Sequence, residues 1–129
     1  MKKPAIAICI TLSLLGLVAC NDTVEPSPIP MQHWKEMNVQ IETHPNPPLE
    51  GMSEVVVIVT SHGKPVHDLI ISLRADDSAP WVQTIQDGYI GLYRRGVSVG
   101  FNEKAVLQVR LQRGQEKKIL FFPLKLTAG

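Results

Sequence analysis

From Ala105 to Gln112 the chain alternates in character with a period of two. Ala105, Leu107, Val109 and Leu111 fall on one face, and Gln108, Arg110 and Gln112 on the other. Successive strand residues point to opposite sides, so this pattern predicts a strand buried on one face. A slip of one residue would bury Arg110, so the register is strongly constrained. Met37–Thr43 repeats the pattern, with Val39 and Ile41 set against Asn38, Gln40 and Glu42. Val55–Val59 is apolar at every position and reads as a central strand, buried on one side and partly covered on the other. Leu69–Arg74, Trp81–Gln86, Tyr89–Arg94 and Lys117–Leu126 supply further strands, with Pro123 at an edge or a bulge. Turn-forming residues separate these runs, including Pro45-Asn46-Pro47-Pro48, His62-Gly63-Lys64-Pro65, Asp76–Pro80, Asp87-Gly88 and Gly114. Short strands at this spacing predict an all-β sandwich of about seven strands.

The first 19 residues read differently. Lys2 and Lys3 form a positive start, and Ala5–Ala19 is a run of 15 residues without a charged side chain. That length suits the core of a signal peptide and falls short of the roughly 20 residues a membrane-spanning helix needs. It ends in Leu17-Val18-Ala19-Cys20, which resembles the lipobox of bacterial lipoproteins. The resemblance implies cleavage before Cys20, diacylglycerol (palmitate-type chains) on its sulfur and a further acyl group on the new amino terminus. Two or more acyl chains hold a globular domain on a bilayer at roughly 0.8 kcal/mol per buried methylene. The alternative is an ordinary secretory leader that happens to contain Cys20. Asn21 rather than Asp after the cysteine resembles the outer-membrane pattern of enteric Gram-negative bacteria, which places the protein facing the periplasm. A Gram-positive source would put it on the outer face of the cell membrane.

Residues 20–35 are expected to be the lipidated cysteine and a linker. Pro26, Pro28 and Pro30 recur at every second position of Asn21–Gln32. Prolines favour an extended chain, so at about 3.1 Å per residue this stretch spans on the order of 30 Å. Residues 36–129 are then the folded domain. Without Lys2 and Lys3 the chain carries 11 basic and 12 acidic residues, which points to no nucleic-acid partner. The two cysteines are Cys9 and Cys20. With the first in the leader and the second lipidated, the domain has no disulfide.

Thr43–Gly51, Val55–Thr60, Gly63-Lys64-Pro65-Val66 and Gly88-Tyr89-Ile90-Gly91-Leu92-Tyr93 together resemble the YtkA-like/FixH-like domain. The similarity would run from about Met37 to Leu126. It implies an immunoglobulin-like sandwich outside a membrane, and a metal-related or oxidase-assembly role. Many members carry Met, His and Gly between the third and fourth strands. Here that stretch is Arg74-Ala75-Asp76-Asp77-Ser78-Ala79-Pro80-Trp81, with neither Met nor His.

The sequence carries no recognisable catalytic set, and the chain is read as a non-enzyme. There is no G-x-S-x-G, H-E-x-x-H, P-loop or EF-hand pattern. Ser53, Ser61, Ser72, Ser78 and Ser98 fall in strands or turns, and Asp76-Asp77 reads as a turn that accepts backbone hydrogen bonds. His62 and His67 bracket one turn, and Met31, His33 and Met37 form a second group of soft donors. No cofactor is expected beyond the covalent lipid on Cys20; imidazole and thioether suit copper in exported proteins, so copper is the alternative, set against histidines that are merely solvated in surface turns. Trp34 and Trp81 are candidate contacts for a partner protein in the envelope, with core packing as the other reading of both and the leading one for Trp81; Arg94-Arg95 read as a solvated hairpin end, with anionic lipid or the same partner as the alternative. The expected function is a lipid-anchored, non-catalytic interaction module, with copper handling as the alternative.

Overall fold

The computed structural model describes residues 29–99 and 105–124. They form ten strands: β1 (Gln32–Trp34), β2 (Met37–His44), β3 (Gly51–Ser61), β4 (Lys64–Pro65), β5 (Ile70–Arg74), β6 (Val82–Gln83), β7 (Ile85–Asp87), β8 (Leu92–Val99), β9 (Val106–Arg113) and β10 (Glu116–Pro123). One antiparallel sheet runs β1-β2-β3-β8-β7, with β4 paired to the end of β3; the other runs β10-β9-β5-β6. With β1 and β4 set aside, β2-β3-β8-β7 and β10-β9-β5 reproduce the two sheets of a constant-type immunoglobulin sandwich, and β6 extends the second sheet.

Alternation decides what lies between the sheets. Val39 and Ile41 on β2 and Val55, Val57 and Val59 on β3 meet Ile71 and Leu73 on β5, Leu107, Val109 and Leu111 on β9, and Leu120 and Phe122 on β10. Most of these are fully buried. Each buried Val or Leu contributes roughly 1.5–3 kcal/mol, which lets a sandwich of this size stand on its core. β3 is the central strand: β2 and β8 each pair with it over eight residues. Val56 points outward yet is buried. Its cross-strand partners Glu42 and Arg94 flank it, and their methylene stems shield it.

Ten strands replace the expected seven because two short pairings, β1 and β4, and one strand division are invisible to periodicity. Trp81–Gln86 is not one strand. The Thr84 amide and hydroxyl both donate to the Ile71 carbonyl at 2.8 Å. That anchor divides the run into β6, paired with β5, and β7, paired with β8 in the other sheet. The strand expected at Tyr89–Arg94 starts at Leu92 and runs on to Val99, because Gly88 and Gly91 both take left-handed φ and hold Tyr89 and Ile90 in a turn. Gln32–Trp34, placed in the linker by sequence, pair with β2 as β1, and Ile29 already packs on the core. Pro123 closes β10 at a sheet edge, as expected. Leu124 follows it and donates to the Ala105 carbonyl at 2.8 Å; Lys125 and Leu126 lie outside the described residues.

Two contacts fix the turn before β8. The Tyr93 hydroxyl donates to the Val66 carbonyl at 2.9 Å and accepts from the Leu69 amide at 3.4 Å. Burial pushes its acid dissociation upward. Gly91 has φ of 77°, and a Cβ there would lie 2.6 Å from the Val59 carbonyl oxygen. Tyr93→Phe is expected to cost about 1–2 kcal/mol, since it orphans buried backbone groups. Gly91→Ala is expected to cost about 3 kcal/mol, from strain and collision together. Urea unfolding of both variants checks the order; equal stability of Gly91→Ala and the parent contradicts the packing described.

Candidate functional site

The outer face of the β10-β9-β5-β6 sheet carries the most ordered exposed chemistry in the described chain. Pairing places Arg74 opposite Gln108 and Ser72 opposite Arg110 across β5 and β9, and Gln108 opposite Phe121 and Arg110 opposite Ile119 across β9 and β10. Trp81 enters this face just before β6. Its ring is half-buried, with the Arg74 guanidinium 4.4 Å and the Arg110 guanidinium 4.6 Å from its centroid. Ser72, small and buried, leaves room for Arg110 to reach the indole. Cation–π contacts of this type contribute about 0.5–1 kcal/mol each when exposed. Arg74 is itself held: its Nε donates to Gln108 Oε1 at 2.8 Å, and its Nη2 lies 3.5 Å from Asp77 Oδ1. Gln108 Nε2 donates to the same Asp77 oxygen at 2.6 Å. Phe121 and Ile119 stand exposed beside this group. The result is an apolar and cationic patch whose central ring is fixed before any partner arrives.

Sequence singled out Trp81 and the Asp76-Asp77 turn but not Arg110, Gln108 or Phe121. The alternation in β9 puts Gln108 and Arg110 on the outer face. Only the strand pairing shows that Trp81 lies over that face.

The turn works as expected at Asp76, whereas Asp77 accepts from side chains of β5 and β9 instead of backbone amides. Asp76 Oδ1 accepts from the Ser78 hydroxyl, the Ser78 amide and the Ala79 amide, and these bonds hold its carboxyl below the usual range. Among the other serines, Ser53 and Ser72 are buried, and Ser53 Oγ donates to the Leu49 carbonyl at 3.2 Å.

The other candidates are dispersed. Cys20 and the Leu17-Val18-Ala19 motif lie outside the described residues. Trp34 packs on the core margin, with Lys35 Nζ 5.7 Å from its ring centroid. His62 lies exposed in the β3–β4 turn with φ of 51°, and His67 stacks edge-on against the exposed Tyr89 at 5.2 Å. The Met31, His33 and Met37 group does not converge. Met37 is fully buried in the core, whereas His33 is exposed and bonds Asn38 on the other face of the β1–β2 hairpin at 2.7 Å. Alternation separates them, since Met37 and Asn38 are neighbours on one strand. Among the described residues no group of three or more His, Cys, Asp or Glu side chains could hold a metal ion.

Arg94 and Arg95 diverge as well. Arg94 faces outward and pairs with Glu54 and Asp87, each at 3.2 Å. Arg95 instead lines a groove of about 290 Å³ between the sheets, with Met52, Ala75, Pro80, Val82 and Val97. A second hollow of about 250 Å³ lies beside Ile29, Ile41, Thr43 and His44.

No family model, no curated protein and no solved structure matches the chain.

At one end of the sandwich Arg113 joins Glu36 at 3.3 Å and Asp68 at 2.9 Å. The Arg113 hydrogen bond holds the Asp68 carboxyl below its usual range. Glu36 is lowered first by its own backbone amide and then by Arg113. Both carboxyls therefore bind protons more weakly folded than unfolded. Their contribution is complete above the unfolded values, near pH 4–5, and is lost as pH falls through the folded ones. Asp68 is exposed, so its share is below about 1 kcal/mol. Arg113→Gln is expected to flatten the loss of stability between about pH 5 and 2. Urea midpoints measured against pH check this, and an unchanged slope would remove the role given to Arg113.

Proposed function

We propose that this chain is a lipoprotein of the bacterial envelope, anchored through Cys20, whose sandwich is a non-catalytic module that docks another envelope protein. The observation that carries the docking reading is the clamped Trp81. An aromatic ring held between two guanidiniums beside exposed Phe121 and Ile119 combines residue types enriched at binding hot spots. Its order before binding lowers the entropy cost of association. The anchoring reading rests on the charged start, the apolar run and the Leu17-Val18-Ala19-Cys20 motif. The likeness to YtkA-like/FixH-like domains belongs to the same proposal and rests on the sequence motifs that carry it, from Thr43–Gly51 to Gly88–Tyr93. The copper alternative gains no support from the placement of Met37 in the core.

Two measurements test the proposal. Intact mass of the native protein is expected to show a chain beginning at Cys20 with fatty-acyl additions, and a bare peptide mass refutes the anchor. A benzophenone amino acid in place of Phe121, irradiated in cells, is expected to give one discrete adduct that Trp81→Ala abolishes without lowering the thermal midpoint by more than a few degrees. No adduct, or one indifferent to Trp81→Ala, refutes the docking face.

A further inference from the structure

The side of the sandwich away from β1 is unevenly covered. β3 pairs with β8 along its whole length, from Leu92 to Val99. On the other side of β8, β7 pairs only with Leu92–Arg94. Among the described residues nothing pairs with the Arg95–Val99 edge. The Val59 amide donates to the Gly91 carbonyl at 2.9 Å, which fixes the phase of the β3–β8 ladder. Gly91, Tyr93, Arg95, Val97 and Val99 turn their backbone groups toward β3. Gly96 and Ser98 turn theirs toward the open edge.

That edge borders the groove that holds Arg95. Met52 and Val97 lie on the β3–β8 side, and Ala75, Ala79, Pro80 and Val82 on the other. Arg95 shares the inward face of β8 with Tyr93 and Val97 by alternation, yet it is exposed, because the gap between the sheets is open there. Arg74 lines the opposite wall. Among the described residues the nearby carboxylates are already engaged: Asp76 accepts from Ser78 and Ala79 in its own loop, and Asp77 accepts from Gln108 and pairs with Arg74.

Resting on the reading of the chain as a docking module, we propose that this edge takes an extended segment of a second protein that carries acidic residues and adds as a strand beside β8. Its backbone pairs with Gly96 and Ser98. A carboxylate meets Arg95, and a small apolar side chain two positions along the same face enters beside Val82 and Val97. Strand addition takes affinity from main-chain bonds and selectivity from neighbouring pockets. The two edge residues suit it, because glycine and serine let another backbone approach closely. Arg95 sets the selectivity: an inward-pointing charge penalises an apolar strand, and a carboxylate removes the penalty. The β10 edge lacks this character, since it carries Lys117, Lys118 and Pro123 and its Phe121 carbonyl accepts from Gln32.

Amide exchange by NMR on the full-length protein in detergent tests the edge first. Gly96 and Ser98 are expected to exchange fast while Tyr93, Arg95 and Val97 are protected. Protection of both Gly96 and Ser98 in the free protein overturns the proposal, since the edge is then already occupied. The probe is the peptide acetyl-Thr-Glu-Thr-Val-Thr-Glu-Thr-amide at millimolar concentration, which carries acid and valine on one face of a strand. It is expected to slow exchange at Gly96 and Ser98, whereas its lysine-for-acid counterpart binds at least about tenfold more weakly. A form N-methylated along its pairing edge is expected to give no protection. Arg95→Glu is expected to reverse the charge preference. Ser98→Pro removes one edge donor without touching the β3 ladder, and is expected to lower binding while the thermal midpoint holds. Equal binding of the acidic and basic peptides, or binding without protection at Gly96 and Ser98, overturns the proposal. A partner captured through Phe121 with no peptide binding at β8 leaves the docking module standing and removes this edge.

Discussion

Everything in this sandwich follows from the burial of alternate residues on β9 against β3. Leu107, Val109 and Leu111 from one sheet and Val55, Val57 and Val59 from the other are fully buried. A one-residue slip of β9 would expose its three large apolar side chains and drive Gln108, Arg110 and Gln112 into the gap. Burying Arg110 without a partner would cost more than any single contact in the domain returns. The same constraint that builds the core therefore fixes the outer face. With β9 locked, Gln108 must stand opposite Arg74 and Phe121, and Arg110 opposite Ser72 and Ile119. The Trp81 clamp is a consequence of core register read from the other side of the sheet.

The two seams of the sandwich are finished in different ways. On one side β1 and the turn after it are tied to the β9–β10 hairpin by polar contacts: Gln32 to the Phe121 carbonyl, Lys35 to Glu116 and Glu36 to Arg113. None is a strong stabiliser where it is exposed, but together they set β1 and the end of the β1–β2 hairpin against the β9–β10 hairpin. On the other side the chain crosses between sheets at Thr84, anchored on Ile71, and the crossing uses residues that would otherwise lengthen β6 and β7. Both are left short. The open stretch of β8 is thus the geometric cost of the crossing.

Legibility in the sequence tracked how local each cause was. β2 and β9 declared themselves because burial on one face imposes a period of two on consecutive residues, and β3 because a short run apolar at every position between turn residues marks a central strand. Thr84 gave no such sign. Its division of Trp81–Gln86 depends on an Ile71 carbonyl thirteen residues earlier. The late start of β8 depends on Gly91 having to fit under the Val59 carbonyl. Met37 fell among the soft donors because a methionine near histidines reads the same whether it points outward or inward. Its neighbour Asn38 shows the direction only once β1 is known to pair there. Trp81 was visible as a residue and invisible as a site, since the guanidiniums that hold it come from two strands, one of them 29 positions further along the chain.

The asymmetry of the seams bears on how an anchored domain would present itself. The described chain enters at Ile29 and Gln32, on the β1 and β10 side. In the sheet order β1-β2-β3-β8-β7 the open part of β8 lies toward the far end from that entry. Under the lipid-anchor proposal the extended linker pulls on the polar, tied seam, and the groove with Arg95 lies away from the point of attachment. A strand edge near the entry would compete with the domain's own linker for pairing, because the linker's local concentration there is held high by its covalent attachment. An edge at the opposite seam escapes that competition and stays available to a second protein. The short β1, laid along β2 before the hairpin, already occupies the pairing edge nearest the entry.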